Sequence, residues 1–157
     1  MSAVRIFVPI DAAAQSVGTN DVAVAIAREA AQRGIDIELV RNGSRGMLWL
    51  EPLVEVETNA GRIAYGPVAP EDVASLFNVG FLAGGEHRLG HGLTEAIPYF
   101  AKQERLSFVR CGVIDPLDLV DYEAHGGLNG LRRALAMQPQ DVVAKITESG
   151  LRGRGGA

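Results

Sequence analysis

The order of secondary-structure elements predicted near the amino terminus constrains this fold more than any other feature of the sequence. Val4 to Pro9 is a short apolar run that ends at proline, which predicts a strand. A helix with one apolar face is predicted to follow, capped by Thr19 or Asn20 and running through Arg33, with Gly34 as its stop. Alternating apolar and acidic residues over 35–39 then predict a half-buried second strand. Because a helical crossover joins the two strands, we expect them to pair in parallel with a right-handed connection.

The residues that follow predict a hairpin and a further helix. Residues 53–57 and 62–65 are predicted strands, and the turn Asn59-Ala60-Gly61 between them offers glycine for a left-handed position. A short helix is predicted over residues 70–77, with proline in its first turn. The resulting order βαβββα predicts an α/β domain of the thioredoxin-like type over residues 1–78.

The remainder of the chain has a different character. Residues 79–93 are rich in glycine and show no periodicity, which predicts a connector. His87 and His91 lie within this stretch, and its glycines argue against the helix that a metal site at their spacing would need, so we interpret them as a solvated pair. Residues 94–157 are predicted to be mostly helical, as the leading part of a larger domain.

Composition excludes several classes of function. The net charge of −4 does not indicate nucleic-acid binding, and no apolar run approaches the ~20 residues of a membrane span. The only cysteine, Cys111, excludes an intrachain disulfide framework and a four-cysteine iron–sulfur site within this chain. We expect Cys111 to be a small buried hydrophobe and the protein to be cytoplasmic. Trp49, between two leucines, is predicted to lie in the core or in an interface.

The glycine-rich stretch Ser149 to Ala157 is the candidate for ligand binding. Glycine permits close approach of the backbone to a ligand, and successive amides together with arginine form a cradle for phosphate. From the residues alone, a disordered tail and half of a nucleotide site both remain open. No Ser–His–Asp or paired-carboxylate arrangement stands out, so no catalytic or metal-ligating residue is predicted.

Several motifs in the second half of the chain resemble the start of the NADH-binding flavoprotein subunit of respiratory complex I. That family binds FMN and NAD(H) and carries a [4Fe–4S] cluster further along its chain. The resemblance covers residues 94–157, and its most specific part is the final loop. It implies that Gly153, Arg154, Gly155 and Gly156 bring backbone amides against FMN. The motifs that carry it are Phe100 to Gln103, Cys111 to Pro116, Tyr122 to Gly127 and Ser149 to Ala157.

The first 78 residues resemble the small thioredoxin-like [2Fe–2S] subunit of the same enzymes. In that family two cysteines lie in a C-x-G-x-C turn, and here Arg41 and Arg45 occupy both positions around the retained Gly43. The loop from Pro9 to Gly18, where the other ligand pair is expected, also contains no cysteine. Since such a cluster needs thiolate ligands, the resemblance implies a thioredoxin-like domain without its cluster.

The combined layout resembles the beta subunit of soluble NAD-dependent formate dehydrogenases, especially over residues 42–47 and 49–52. The diaphorase subunits of NAD-reducing hydrogenases share this layout but often keep cluster cysteines in the front domain. The resemblance implies a longer parent subunit with FMN, NAD and [4Fe–4S], and no cofactor in this fragment alone. It also implies two partners, a molybdenum- or tungsten-containing alpha subunit and a [2Fe–2S] gamma subunit.

An alternative of another class is a non-catalytic docking module. In that interpretation Met1 to Asn78 packs against another subunit, and Arg41 and Arg45 are interface or anion-pairing residues. The same two arginines could instead be solvated residues of the turn.

Overall fold

The computed structural model describes residues 3–153 and 155. It divides into two compact units, Met1–Asp118 and Leu119–Ala157. The first unit holds a 5-stranded sheet, and the described part of the second unit is helical. The boundaries 1–78, 79–93 and 94–157 stay a prediction about domains.

The sheet begins with the predicted parallel pair. Strand β1 (Val4–Phe7) pairs in parallel with β2 (Ile37–Val40), and helix α2 (Thr19–Arg33) connects them. The expectation of a loop from Pro9 to Gly18 is wrong in part, because a short helix α1 (Ala12–Ser16) lies within it. The side chain of Asp11 caps this helix by accepting hydrogen bonds from two backbone amides.

The cap predicted for α2 is also wrong. Gly18, in the left-handed conformation at φ 91°, precedes the helix, and neither Thr19 nor Asn20 caps it. The hydroxyl of Thr19 is fully buried and donates to the carbonyl of Pro9 at 2.9 Å, so it serves the preceding loop. At the other end Gly34, at φ 66°, ends the helix as predicted.

The other three strands are antiparallel. β3 (Val54–Thr58) and β4 (Gly61–Tyr65) form the predicted hairpin, and β5 (Gly90–Leu93) pairs with β4. The strand order is β2-β1-β3-β4-β5. Strand β5 lies in the stretch predicted as a connector, where glycine hid the strand from pattern analysis because it weakens strand propensity.

One face of the sheet carries the main core. Helix α2 and helix α3 (Val73–Asn78) pack against it, and α3 follows a 3₁₀ turn at Pro70–Asp72. The fully buried side chains here are large and apolar, so they supply most of the hydrophobic stabilisation. They include Ile6, Ile26, Val56, Tyr65, Leu76 and Phe81.

The opposite face of the sheet carries a smaller apolar cluster and a group of charged side chains. Strand residues alternate between faces, so Glu55, Arg62 and Ala64 lie opposite the main core. Ala64 packs with a short helix α4 (Pro98–Ala101) through Phe100. The other buried members of this cluster are Met47, Leu50 and Leu53.

The second unit contains α5 (Leu119–Ala124), α6 (Asn129–Leu135) and α7 (Pro139–Ser149). None of these helices buries a residue in the described structure. Residues 106–110, which precede them in the first unit, form a bend and turns.

Candidate functional site

The glycine-rich end follows directly from α7. Gly150 ends that helix in the left-handed conformation at φ 63°, so the chain leaves the helix axis at this residue. Gly153 and Gly155 are exposed, and a Cβ added to either would meet nothing within 4 Å. Arg154 and Gly156, the other two residues of the predicted FMN loop, lie outside the described residues. Both described glycines therefore leave the backbone open to a ligand.

The turn at residues 41–46 holds a denser set of polar groups. The guanidinium of Arg41 is half-buried and donates to the carbonyls of Val8 and Pro9 at 3.1 and 3.2 Å. It also donates to the side-chain oxygen of Asn20 at 2.7 Å. Burial lowers the pKa of Arg41, and the nearby charge of Asp115 partly opposes this effect. Arg41 thus links its turn to the loop after β1 and to the first turn of α2, and it is not a solvated turn residue.

Arg45 is more deeply buried. Only 3% of its side chain is exposed, and it forms a bidentate pair with Glu55 at 3.0 and 3.2 Å. Its remaining terminal nitrogen lies 2.9 Å from Glu95, whose side chain is 72% exposed. Glu55 is 1% exposed, so this is an ion pair removed from water. The hypothesis that Arg45 is solvated is wrong, because its carboxylate partner lies inside the protein.

Two further side chains complete this polar group by binding backbone carbonyls. Asn42 is fully buried and donates to the carbonyl of Gly112 at 2.8 Å. Arg62 donates to the carbonyls of Gly112 and Val113 at 3.1 and 2.7 Å. Burial lowers the pKa of Arg62 to about 10, with Glu55 acting in the opposite direction, so the group stays protonated at neutral pH. We call Asn42, Arg45, Glu55 and Arg62 the polar clasp.

The segment held by these side chains is residues 105–114, which we call the strap. Its turns are closed by backbone hydrogen bonds such as that from Cys111 to Phe108 at 3.0 Å. Arg105, at its start, lies over the ring of Phe100 and donates to the carbonyl of Arg45. The strap is therefore fixed both by its own turns and by side chains of the sheet.

Glu51 lies beside the same turn and is strongly desolvated. Burial raises the pKa of its carboxyl group, although hydrogen bonds from the amide of Leu53 and the hydroxyl of Ser44 oppose this rise. Like the clasp, this carboxylate faces into the protein.

The remaining candidate residues do not assemble into a site. His87 and His91 each have a separate partner, the hydroxyl of Ser75 and the carbonyl of Gly66. Cys111 is exposed, so the expectation that it is buried is wrong. Trp49 is 59% exposed, so it is not a core residue. Among residues 3–153 and 155, no group of three or more His, Cys, Asp or Glu side chains could hold a metal ion.

Sequence patterns did not identify Asn42, Glu55 and Arg62 as partners. Glu55 and Glu57 alternate with valines, so the pattern placed both carboxylates on one face of the strand and named no partner for either. The signal that was available is the hairpin register. The turn places Arg62 diagonally across from Glu55, where opposite charges stabilise a strand pair.

Partial matches relate the chain to known oxidoreductases, while no family model matches it. It is 50% identical over 56 residues to the NADP-reducing hydrogenase subunit HndC of Solidesulfovibrio fructosivorans, covering 36% of this chain and 11% of that protein. It is 64% identical over 36 residues to an NADH-quinone oxidoreductase subunit of Streptomyces coelicolor, covering 23% of this chain and 8% of that protein. The chain thus spans only a small part of the length of either relative.

Two solved structures that resemble this chain are of the thioredoxin-like [2Fe–2S] ferredoxin of Aquifex aeolicus. One superposes with a TM-score of 0.51 at 18% identity, covering 62% of this chain and 98% of the ferredoxin. A wild-type structure at 1.5 Å resolution gives a TM-score of 0.48 at 20% identity, covering 59% of this chain and 99% of the other. The first of these comparisons, with the mixed sheet, confirms the predicted α/β thioredoxin-like domain. The chain therefore joins a thioredoxin-like fold to sequence partly homologous to an NADH-quinone oxidoreductase subunit and a hydrogenase subunit.

Proposed function

We propose that this chain is the amino-terminal part of an FMN- and NAD-binding diaphorase subunit. In the parent subunit, electrons pass from iron–sulfur clusters through FMN to NAD, and the cofactor supplies the redox chemistry. The observation that carries this proposal is the partial identity to two such oxidoreductase subunits in a chain that also has a thioredoxin-like fold. A cytoplasmic location is part of the proposal and rests on the single cysteine of the sequence. Among the described residues, no helix has the length and apolar character needed to cross a bilayer.

The finer assignment is to a soluble NAD-dependent formate dehydrogenase. It is supported by the resemblance of residues 42–47 and 49–52 to the beta subunits of those enzymes, and by the arginines at positions 41 and 45. The proposed partners are a molybdenum- or tungsten-containing alpha subunit and a [2Fe–2S] gamma subunit. The alternative within the same class is the corresponding subunit of an NAD-reducing hydrogenase.

The exposed apolar side chains on the helices of the second unit favour the proposal that these helices belong to a larger flavin-binding domain. Their apolar side chains remain in water, with Leu135 at 78%, Val143 at 67% and Ile146 at 58% exposure. Amphipathic helices of this kind gain most of their stability from packing their apolar face. Such a face fits the edge of a domain whose remaining elements would cover it.

The proposal is tested by purifying the protein from its source with its bound partners. Formate-dependent reduction of NAD, together with bound FMN and molybdenum or tungsten, is the expected result. Hydrogen-dependent reduction with nickel would transfer the assignment to the hydrogenase alternative. A complex without flavin and without either activity would contradict the diaphorase proposal and favour a docking module.

The flavin loop is tested separately by substitution in the same complex. Gly153→Ala and Gly155→Ala are expected to lower the FMN content, because each Cβ would stand between the backbone and the flavin. Gly130→Ala is the matched control, since Gly130 also has nothing within 4 Å of an added Cβ but lies in α6. Equal FMN content in all three variants would exclude the loop as the flavin site.

The docking-module alternative loses one of its supports in this structure. Arg41 and Arg45 were its proposed anion-pairing residues, and both donate their hydrogen bonds to groups within the first unit. A docking role would therefore need other surface residues.

A further inference from the structure

The [2Fe–2S] cluster named for the Aquifex ferredoxin does not fit the residues of this chain. Iron in such clusters is held by cysteine thiolates, and this sequence contains one cysteine. That cysteine lies exposed on the strap. Positions 41 and 45, which resemble ligand positions, hold guanidiniums that already donate to carbonyl and carboxylate oxygens. Charged side chains therefore occupy the positions that the resemblance assigns to cluster ligands.

We propose that the polar clasp is a positioning device that locks the strap onto the face of the sheet opposite the main core. Three donated hydrogen bonds from Asn42 and Arg62 reach two consecutive strap carbonyls. Hydrogen bonds that involve a charged donor are stronger than neutral ones, so we expect Arg62 to contribute most of the free energy that keeps the strap bound.

Glu55 organises the donors of the clasp. It pairs with Arg45 at 3.0 Å and lies 3.8 Å from Arg62, so one carboxylate faces both guanidiniums. The amide of Asn42 also reaches it at 3.4 Å. Arg62 is further fixed by the ring of Phe7, whose centroid lies 3.3 Å from the central carbon of the guanidinium. The donors are therefore oriented by contacts outside the strap, which lowers the side-chain entropy lost in binding its carbonyls.

Gly112 is the steric counterpart of this electrostatic hold. It has φ of 75°, and an added Cβ would stand 2.3 Å from the Cδ atom of Arg45. A side chain at this position would have to push the strap away from the arginine. The strap thus fits the clasp only where its backbone has no side chain.

Hydrogen exchange of the purified chain, followed by mass spectrometry, tests the charge component. Arg62→Leu keeps an apolar side chain on Phe7 but removes the donors to both carbonyls. We expect exchange in peptides covering the strap to accelerate at least about tenfold while β1 and β3 keep their protection. The matched control is Arg5→Leu, because Arg5 also lies over Phe7 and pairs with exposed carboxylates but has no bond to the strap. Unchanged strap exchange in Arg62→Leu would overturn the proposal.

A second pair of variants tests the steric component and decides the matter if Arg62→Leu unfolds the whole sheet. Gly112→Ala is expected to accelerate exchange in the strap to a similar extent. Gly80→Ala shares the left-handed backbone, at φ 71°, but its Cβ would meet nothing within 4 Å. If the strap of Gly112→Ala exchanges as slowly as that of Gly80→Ala, the strap is not locked by the clasp and the proposal fails.

Discussion

The two units of this molecule use their apolar residues in opposite ways. In the first unit α2 and α3 bury their apolar stripes against a sheet, with side chains such as Ile26 and Leu76 fully removed from water. In the second unit α6 and α7 carry stripes of similar character, yet neither helix buries a residue in the described structure. The contrast teaches that an amphipathic pattern specifies a helix and its apolar face. The pattern does not specify which element of the protein covers that face.

The same contrast holds for charges. Arg45 and Glu55 form a pair that is nearly inaccessible to water, whereas Arg132 and Glu123 in the second unit pair across 3.5 Å with both side chains largely exposed. Water screens the exposed pair and leaves the buried pair dependent on its partners. Matched substitutions in the two units test these differences, and the largest effect is expected at the buried ion pair.

Removing one member of the buried pair is expected to cost the most. Glu55→Leu removes the buried carboxylate that faces Arg45 and Arg62 and leaves Arg45 only its exposed partner Glu95. We expect a loss of about 3–5 kcal/mol in the free energy of unfolding. The matched change Glu123→Leu, in the exposed pair, is expected to cost at most about 1 kcal/mol. Urea denaturation followed by circular dichroism measures both. Similar losses in the two variants would remove the distinction between the units.

Truncation of a leucine in each unit tests the apolar contrast. Leu76→Ala is expected to cost about 2–5 kcal/mol, because the leucine is fully buried in α3 and its removal leaves a cavity. Leu135→Ala, at a leucine that is 78% exposed in α6, is expected to change stability by less than about 0.5 kcal/mol. The measurement is again the midpoint and slope of urea unfolding. A large loss in Leu135→Ala would show that its helix is covered in this chain.

A smaller effect is expected at the cap of α1. Asp11→Ala removes the acceptor for the amides of Ala13 and Ala14 and should cost about 1 kcal/mol. Asp21→Ala is a suitable control, since Asp21 lies in the first turn of α2 without being its cap. Thermal denaturation of the two variants gives the comparison. Equal midpoints would mean that the Asp11 cap contributes no stability.

The smallest effect is a change in pH dependence. Burial raises the pKa of Glu51, so the folded state still binds a proton that the unfolded state releases as pH rises above the ordinary carboxyl range. Stability from this group is therefore present at low pH and is lost as pH rises through the folded pKa. Glu51→Gln keeps an acceptor for Leu53 and should flatten the stability profile from about pH 4 upward. An unchanged profile would contradict the raised pKa.

Local sequence patterns were sufficient to predict much of the secondary structure of the first unit. The parallel strands, the hairpin and the glycine that ends α2 all follow from periodicity and turn chemistry, which act over a few residues. Strand β5 was missed because its stability comes from pairing with β4 and not from its own glycine-rich sequence.

The candidate sites show where local pattern ends. The glycine-rich loop was visible as a motif, since its residues are adjacent in sequence. The clasp was not, because Asn42 and Arg62 bind strap carbonyls at separations of up to 70 positions, and Glu55 contacts these two residues through the folded sheet. Their identities as polar residues suggested solvent exposure, and tertiary contact overrode that tendency.

The close approach of Gly112 to Arg45 has a consequence for how this protein can diverge. A mutation that adds a side chain at position 112 would clash with Arg45, and a smaller residue at 45 would remove this clash. The left-handed backbone of Gly112 would still favour glycine there. The two positions are therefore expected to covary among homologues, in spite of their distance in sequence. An alignment in which bulky residues at 112 coexist with arginine at 45 would show that evolution has found another path for this backbone.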